Sequence, residues 1–305
     1  MLEAYYLLAL GRKRFYGKPP SQLAGEIMQV LFFTKMLKNK GNLALEEAAD
    51  YVSEIGFDGA DLTVREAGYV LPEEATAKLD QAIKVFKSKG LSVPMITTNV
   101  TDAEAGYAKD IFKAASKAGV TYIKLGYWRY AGFGKIRNQI EETTRKIDGI
   151  CSLSKKYGVN AAIHIHAGAY LSADPALLYM LLKDRDPEML GAYIDPGHMY
   201  AEAGPQGWEM ALDLLATHIR LVAVKNYRWL KTVDNRTGEK KWQVQMMPLR
   251  EEIVPWPRVF TRLREIGFDG CISVHSEYDN LNFEDLIKQT KEDLRYLRDV
   301  LADTA

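Results

Sequence analysis

Five histidines occur in the chain of 305 residues, at positions 164, 166, 198, 218 and 275, and all lie in its second half. Four of them keep company that could do chemistry. His164 and His166 form an H-x-H; His198 closes Asp195-Pro196-Gly197-His198; His275 precedes Glu277 by two positions; and Lys225 follows the apolar run Val222-Ala223-Val224. Side chains two apart on a strand share a face, so His164 with His166, and His275 with Glu277, each make a same-side pair. Imidazole and carboxylate groups gathered in this way suit a divalent metal with an open coordination position. His218 reads as a structural group. Asp61, in Ala60-Asp61-Leu62-Thr63, is open between binding substrate and capping the following helix. Tyr127, Trp128, Tyr130 and Trp229 could stack on a sugar face or simply pack at a rim.

The elements that must position these groups show in a repeat. Glu-Ile-Gly-Phe-Asp-Gly occurs at 54–59 and again at 265–270, 211 residues apart, each time after an amphipathic helical stretch and before a β-like run. Between the copies the same order recurs at Gly90, Gly119, Gly158 and Gly191, with steps of 34, 29, 39 and 33 residues counted from Gly56. That is the period of a strand and helix unit, with glycine ending the helix. A strand at 29–33 with a helix at 43–55, and a strand at 271–275 with a last helix, bring the count to eight units. The last helix carries Phe283, Leu286, Ile287, Thr290, Leu294, Leu297 and Leu301 on one face. Asp174-Pro175 opens another helix with a cap residue and a proline in its first turn. Neither G-x-G-x-x-G nor G-x-x-x-x-G-K-[ST] is present, so dinucleotide-binding and P-loop folds fall away. The expected fold is a (β/α)8 TIM barrel, a single α/β domain over 28–305 with an N-terminal arm at 1–27. In such barrels the reacting groups stand at the carboxyl ends of strands. His164 and His166 then close strand five, Asp195 and His198 strand six, Lys225 strand seven, and His275 and Glu277 strand eight. A long loop at 226–252 follows strand seven; its Asp234-Asn235-Arg236-Thr237-Gly238 turn predicts a hairpin that overhangs the mouth.

From about residue 28 to 300, and above all in Gly-Phe-Asp-Gly before Asp61-Leu62, the H-x-H at His166, Asp195-Pro-Gly-His198, Lys225 and Ser273-Val-His-Ser-Glu277-Tyr278, the chain resembles the sugar phosphate isomerase/epimerase family of xylose isomerase-like barrels. The resemblance implies a single divalent metal held by Glu, Asp, His and Glu, and two carboxylates that shuttle a proton at a sugar carbon. Only Asp195 matches that ligand pattern outright. His164 stands where the first Glu is expected, Ala223 where a His is expected, and His275 where the last Glu is expected, with Glu277 two residues on. The ligand set carried over is therefore His164, Asp195, His275 and Glu277, and its imidazoles favour Mn, Zn, Fe or Co over Mg. Glu277, His166, Lys225 and His198 form the expected catalytic group, with Glu277 or His166 moving the proton and Lys225 stabilising an enediolate. The expected activity is a metal-dependent isomerisation or epimerisation of a keto- or aldo-sugar. A lyase or hydrolase of 3-keto-glycosides, and a non-catalytic carbohydrate-binding barrel, stand as alternatives.

Composition bounds the partners. Forty Lys+Arg balance forty Asp+Glu, which leaves no electrostatic argument for nucleic acid or an acidic membrane. The 47% hydrophobic content suffices for a large core, and no run reaches the length of a membrane helix. The seven apolar residues at 4–10 lack the features of a signal peptide, and Cys151 and Cys271 fit no metal or redox spacing, so a cytoplasmic protein with two free thiols is expected. A small-molecule carbohydrate is the expected ligand, and the N-terminal arm suggests a homo-oligomer or a cover over the barrel's bottom.

Overall fold

A computed structural model describes residues 28–234, 236–251 and 253–304. The expected arm at 1–27 lies outside the described residues.

Eight parallel strands close into a barrel. In chain order its units are β1 (Val30–Phe33), α1 (Lys35–Asn39), α2 (Leu45–Ile55), β2 (Gly59–Thr63), α3 (Ala75–Ser88), β3 (Ser92–Thr97), α4 (Ala108–Ala118), β4 (Tyr122–Lys124), α5 (Ile136–Tyr157), β5 (Asn160–His164), α6 (Pro175–Leu182), β6 (Leu190–Ile194), α7 (Pro196–Leu215) and β7 (Ile219–Val224). An antiparallel hairpin, β8 (Asn226–Val233) and β9 (Lys240–Met247), interrupts the alternation before α8 (Trp256–Glu265), β10 (Cys271–Val274) and α9 (Phe283–Asp303) complete it. β1 pairs with both β2 and β10, which closes the ring.

The local chemistry follows the sequence in most places. Gly56, Gly119 and Gly158 end α2, α4 and α5 with φ of 102°, 76° and 64°, the left-handed region that glycine enters at little cost. The Asp174 carboxylate accepts from the amides of Ala176 and Leu177 and caps α6. Gly191 departs from expectation, because it lies inside β6 rather than ending a helix. Its constraint is close packing, since a Cβ there would come within 2.4 Å of the Arg220 side chain. The predicted hairpin is present in full register from Asn226 opposite Met247 to Val233 opposite Lys240.

Two apolar regions hold the fold. One lies between strands and helices, where outward-facing Ile163, Ile194, Val222 and Val224 meet helix residues such as Leu178, Trp208, Phe260 and Leu297. The other fills the barrel with Leu31, Met95, Ala162, Tyr193, Leu221, Ala223 and Cys271. Strand alternation continues each inward row toward the carboxyl mouth: Ala162 to His164, Tyr193 to Asp195, Leu221 and Ala223 to Lys225, Cys271 and Ser273 to His275. The apolar interior therefore floors a polar cluster. Cys151 and Cys271 are free. Among the described residues no helix is long and apolar enough to cross a membrane.

Candidate active site

At the mouth, Lys225 is the centre. Its ammonium, buried at 1% exposure, lies 3.0 Å from Asp195 Oδ2, 3.3 Å from His275 Nδ1 and 3.4 Å from Glu277 Oε2. Asp195 ends β6 and also caps α7: its Oδ1 accepts from the His198 amide at 3.0 Å. Pro196 suits the first turn of that helix, and Gly197 is required by crowding, because a Cβ there would stand 2.6 Å from the Lys225 carbonyl oxygen. The Asp-Pro-Gly-His segment thus serves both the helix start and the close approach of Asp195 to Lys225. Glu277 Oε1 takes a second cation, Lys35, from the start of α1.

Hydrogen bonding fixes the tautomers of His164 and His166. His164 Nε2 faces the Asp195 carboxylate at 3.2 Å and must donate, which leaves Nδ1 to accept from the Tyr127 hydroxyl at 2.7 Å. His275 Nδ1 lies between the Lys225 ammonium at 3.3 Å and Glu277 Oε2 at 3.5 Å, and its Nε2 is 2.8 Å from Tyr193 Oη. His166 Nδ1 is 2.9 Å from the Ala167 carbonyl, which only accepts, so its Nε2 keeps a lone pair. His198 has neither ring nitrogen hydrogen-bonded among the described residues and packs, tilted, against His166, with ring centres 4.0 Å apart, and against Tyr227.

The charge states are consistent with these roles. Burial opposes the charge on Lys225, but Asp195, Tyr227 and Glu277 outweigh it and hold the ammonium well above the ordinary lysine range. Burial likewise acts to raise Asp195 and Glu277, and Lys225, joined by His198 and His275 at Asp195 and by His275 and Lys35 at Glu277, overcomes it and keeps the two carboxylates ionised. Burial, reinforced by the Lys225 charge, lowers all four mouth histidines and takes His275 down to about 4. They are neutral imidazoles at neutral pH. A second lysine behaves oppositely. Lys124, 2% exposed, has no hydrogen-bond partner among the described residues, and burial with Arg65 nearby pushes it well below the ordinary range. Its Nζ sits 3.7 Å from the centre of the Tyr127 ring.

Glu277, His166, Lys225, His164 and His275 line a cavity of about 100 Å³, together with Lys124, Tyr127, Tyr193, Lys35, Arg65, Thr97 and Phe33. His198 and Asp195 stand behind this wall. His198 therefore contacts His166 rather than the cavity. Asp61 neither caps a helix nor reaches the cavity. It lies inside β2, one layer below the mouth, accepting from Thr97 Oγ1 at 2.7 Å and Ser273 Oγ at 2.9 Å, and burial raises it to about 6. Of the aromatic candidates, Tyr127 joins the cluster, Trp128 is buried in the outer core, and Tyr130 and Trp229 are exposed. His218, bonded to Thr217 away from the mouth, is structural. Sequence reading missed Lys35, Arg65, Lys124 and Tyr193. For Lys124 a signal existed: it is a charge at an inward position of the apolar run Val120-Thr121-Tyr122-Ile123-Lys124-Leu125.

The four expected metal ligands do meet, but their arrangement does not fit a divalent ion. The Asp195 oxygens serve the α7 cap, His164 and Lys225; the free lone pair of His164 faces Tyr127; His275 Nδ1 is taken up by Lys225 and Glu277; and Glu277 is shared between Lys225 and Lys35. Among the described residues no group of three or more His, Cys, Asp or Glu side chains could hold a metal ion.

A closed parallel eight-stranded ring with its polar cluster at the carboxyl mouth defines the chain as a (β/α)8 barrel of single-domain type. It belongs to the xylose isomerase-like TIM barrel family, whose model matches residues 49–300. No curated protein matches the sequence. Among solved structures, a xylose isomerase-like TIM barrel protein from Mycobacterium smegmatis in complex with magnesium superposes with a TM-score of 0.66 at 15% identity, covering 91% of this chain and 97% of that one. The 3-keto-D-glucoside 4-epimerase from E. coli gives 0.63 at 13% identity, with 89% and 99% covered. D-psicose 3-epimerase gives 0.65 at 13% identity, with 90% and 99% covered. At these identities the likeness is one of fold.

Proposed function

We propose that the protein is a sugar isomerase or epimerase that moves a proton at the carbon beside a carbonyl. The observation that carries this reading is the pairing, on one small cavity, of a neutral imidazole with a free lone pair, His166 Nε2, and a fixed buried ammonium, Lys225. Removing a proton next to a carbonyl places negative charge on the carbonyl oxygen. Lys225 is preorganised for that charge, and its two longer bonds, at 3.3 and 3.4 Å to His275 and Glu277, are the ones a substrate oxygen would replace. His166 is the better base of the two carried forward from the sequence, because Glu277 is committed to Lys225 and Lys35 and held strongly ionised. The activities of fold relatives, sugar epimerases among them, support the substrate class.

The test is proton exchange in D₂O with ketohexoses, ketopentoses and 3-keto-glucosides, followed by proton NMR. Deuterium is expected at a carbon beside the carbonyl, with His166→Gln slowing its entry by ~10²-fold or more. No exchange into any of these sugars would remove the reading, and release of an enone would replace it with elimination.

A further inference from the structure

The position expected to hold a metal ion holds a side-chain cation. We propose that the Lys225 ammonium is the resident cation of this site in place of a divalent ion, and that the protein works on its sugar without a metal. The inference concerns the same site as the proposed reaction and borrows only its chemistry from that reading.

Three observations carry it. An ammonium has three donors, and those of Lys225 face Asp195, His275 and Glu277, three of the four residues expected as ligands. The fourth, His164, turns an N–H toward Asp195, and its lone pair accepts from Tyr127. The strand that supplies the lysine also lacks a donor: Ala223 lies in the apolar interior cluster two residues before Lys225 on the same face of β7. Lys225 thus rises from a strand whose preceding inward position offers no imidazole to a metal. Charge agrees as well. Asp195 and Glu277 are balanced by Lys225 and Lys35, so a divalent ion added to this cluster would leave two uncompensated positive charges at a largely buried site.

A monovalent ammonium polarises a carbonyl less than a divalent ion does, through directed hydrogen bonds rather than Lewis acidity. The substrates it suits are those whose C–H is already acidified by a ketone. Ketoses and keto-glycosides therefore fit the site.

The test needs no substrate. Metal content of the purified protein is measured by plasma mass spectrometry, and Co²⁺ is titrated while visible d–d absorption is followed. The wild type is expected to carry no stoichiometric divalent metal and to develop no band. Lys225→Ala, which frees three acceptors, is expected to gain Co²⁺ binding and a band. Stoichiometric metal or a Co²⁺ band in the wild type overturns the proposal, and so does absence of a band in both proteins. If Lys225→Ala does not fold, the wild-type measurements still decide it. Failed sugar exchange in a metal-free wild type would remove the proposed reaction and leave the lysine assignment standing.

Discussion

Lys124 and Lys225 are both buried at one cavity, yet their surroundings set them in opposite states. Lys225 has two carboxylates within reach and stays charged; Lys124 has no hydrogen-bond partner among the described residues and is driven toward the neutral amine. An unsatisfied buried polar group costs about 1–3 kcal/mol, so the fold keeps Lys124 at an expense that packing alone does not repay. Lys124→Met, similar in length and apolar, is expected to leave the melting temperature unchanged or raise it, while lowering the rate of sugar C–H exchange. A fall in melting temperature by several degrees with exchange intact would show that the amine is structural. Removing Asp195 has the opposite character, since it takes the nearer of two carboxylates from a buried ammonium.

Among the elements, the hairpin of β8 and β9 matters most to the mouth. Tyr227, near its base, packs on His198, and Asn226 donates to the Pro248 carbonyl and accepts from the Val254 amide. Further out, Trp229 is half exposed but ties the hairpin to α7 through its indole N–H on the Ala201 carbonyl at 3.0 Å. α7 itself bends there, with Gly204 at φ 70° followed by Pro205. Trp229→Ala is expected to change stability by less than about 0.5 kcal/mol, as exposed substitutions do, and to raise KM more than it lowers kcat. Steady-state kinetics check this; a fall in kcat at constant KM would place Trp229 in the chemistry rather than over it.

For the whole molecule, zero net charge conceals a pH-sensitive interior. The mouth histidines are held neutral in the fold, whereas unfolded histidine titrates near 6.5, so below that pH the unfolded chain binds more protons. Stability present above pH 6.5 is therefore lost as pH falls toward the folded value, which for His275 is about 4 and corresponds to about 3 kcal/mol. Asp61 and Asp293, both raised to about 6 by burial, run the other way, and their contribution is lost as pH rises through about 6. With four histidines against two carboxylates, the melting temperature is expected to drop between pH 6.5 and 4. His275→Gln, which can still donate to Tyr193, is expected to flatten that drop; an unchanged slope would mean that His275 does not contribute.

The eight units, the hairpin and the gathering of four histidines with Asp195, Lys225 and Glu277 were legible in the sequence. Helix-ending glycines, the repeated hexapeptide and two-residue strand alternation are local signals, and a barrel sends strand ends to one place. Asp61 misled because a polar residue in a strand marks an inward position without saying at which layer it lies, and that depth depends on register with β1 and β3. What only the tertiary structure decided is which partners meet at the mouth. The three-dimensional arrangement sets Lys225 among three groups expected to hold a metal, gives Lys35 to Glu277, and leaves Lys124 over the Tyr127 ring with no hydrogen-bond partner among the described residues. Residue types fix which charges are available, but only distances of 3–4 Å between side chains from different strands determine which charge answers which.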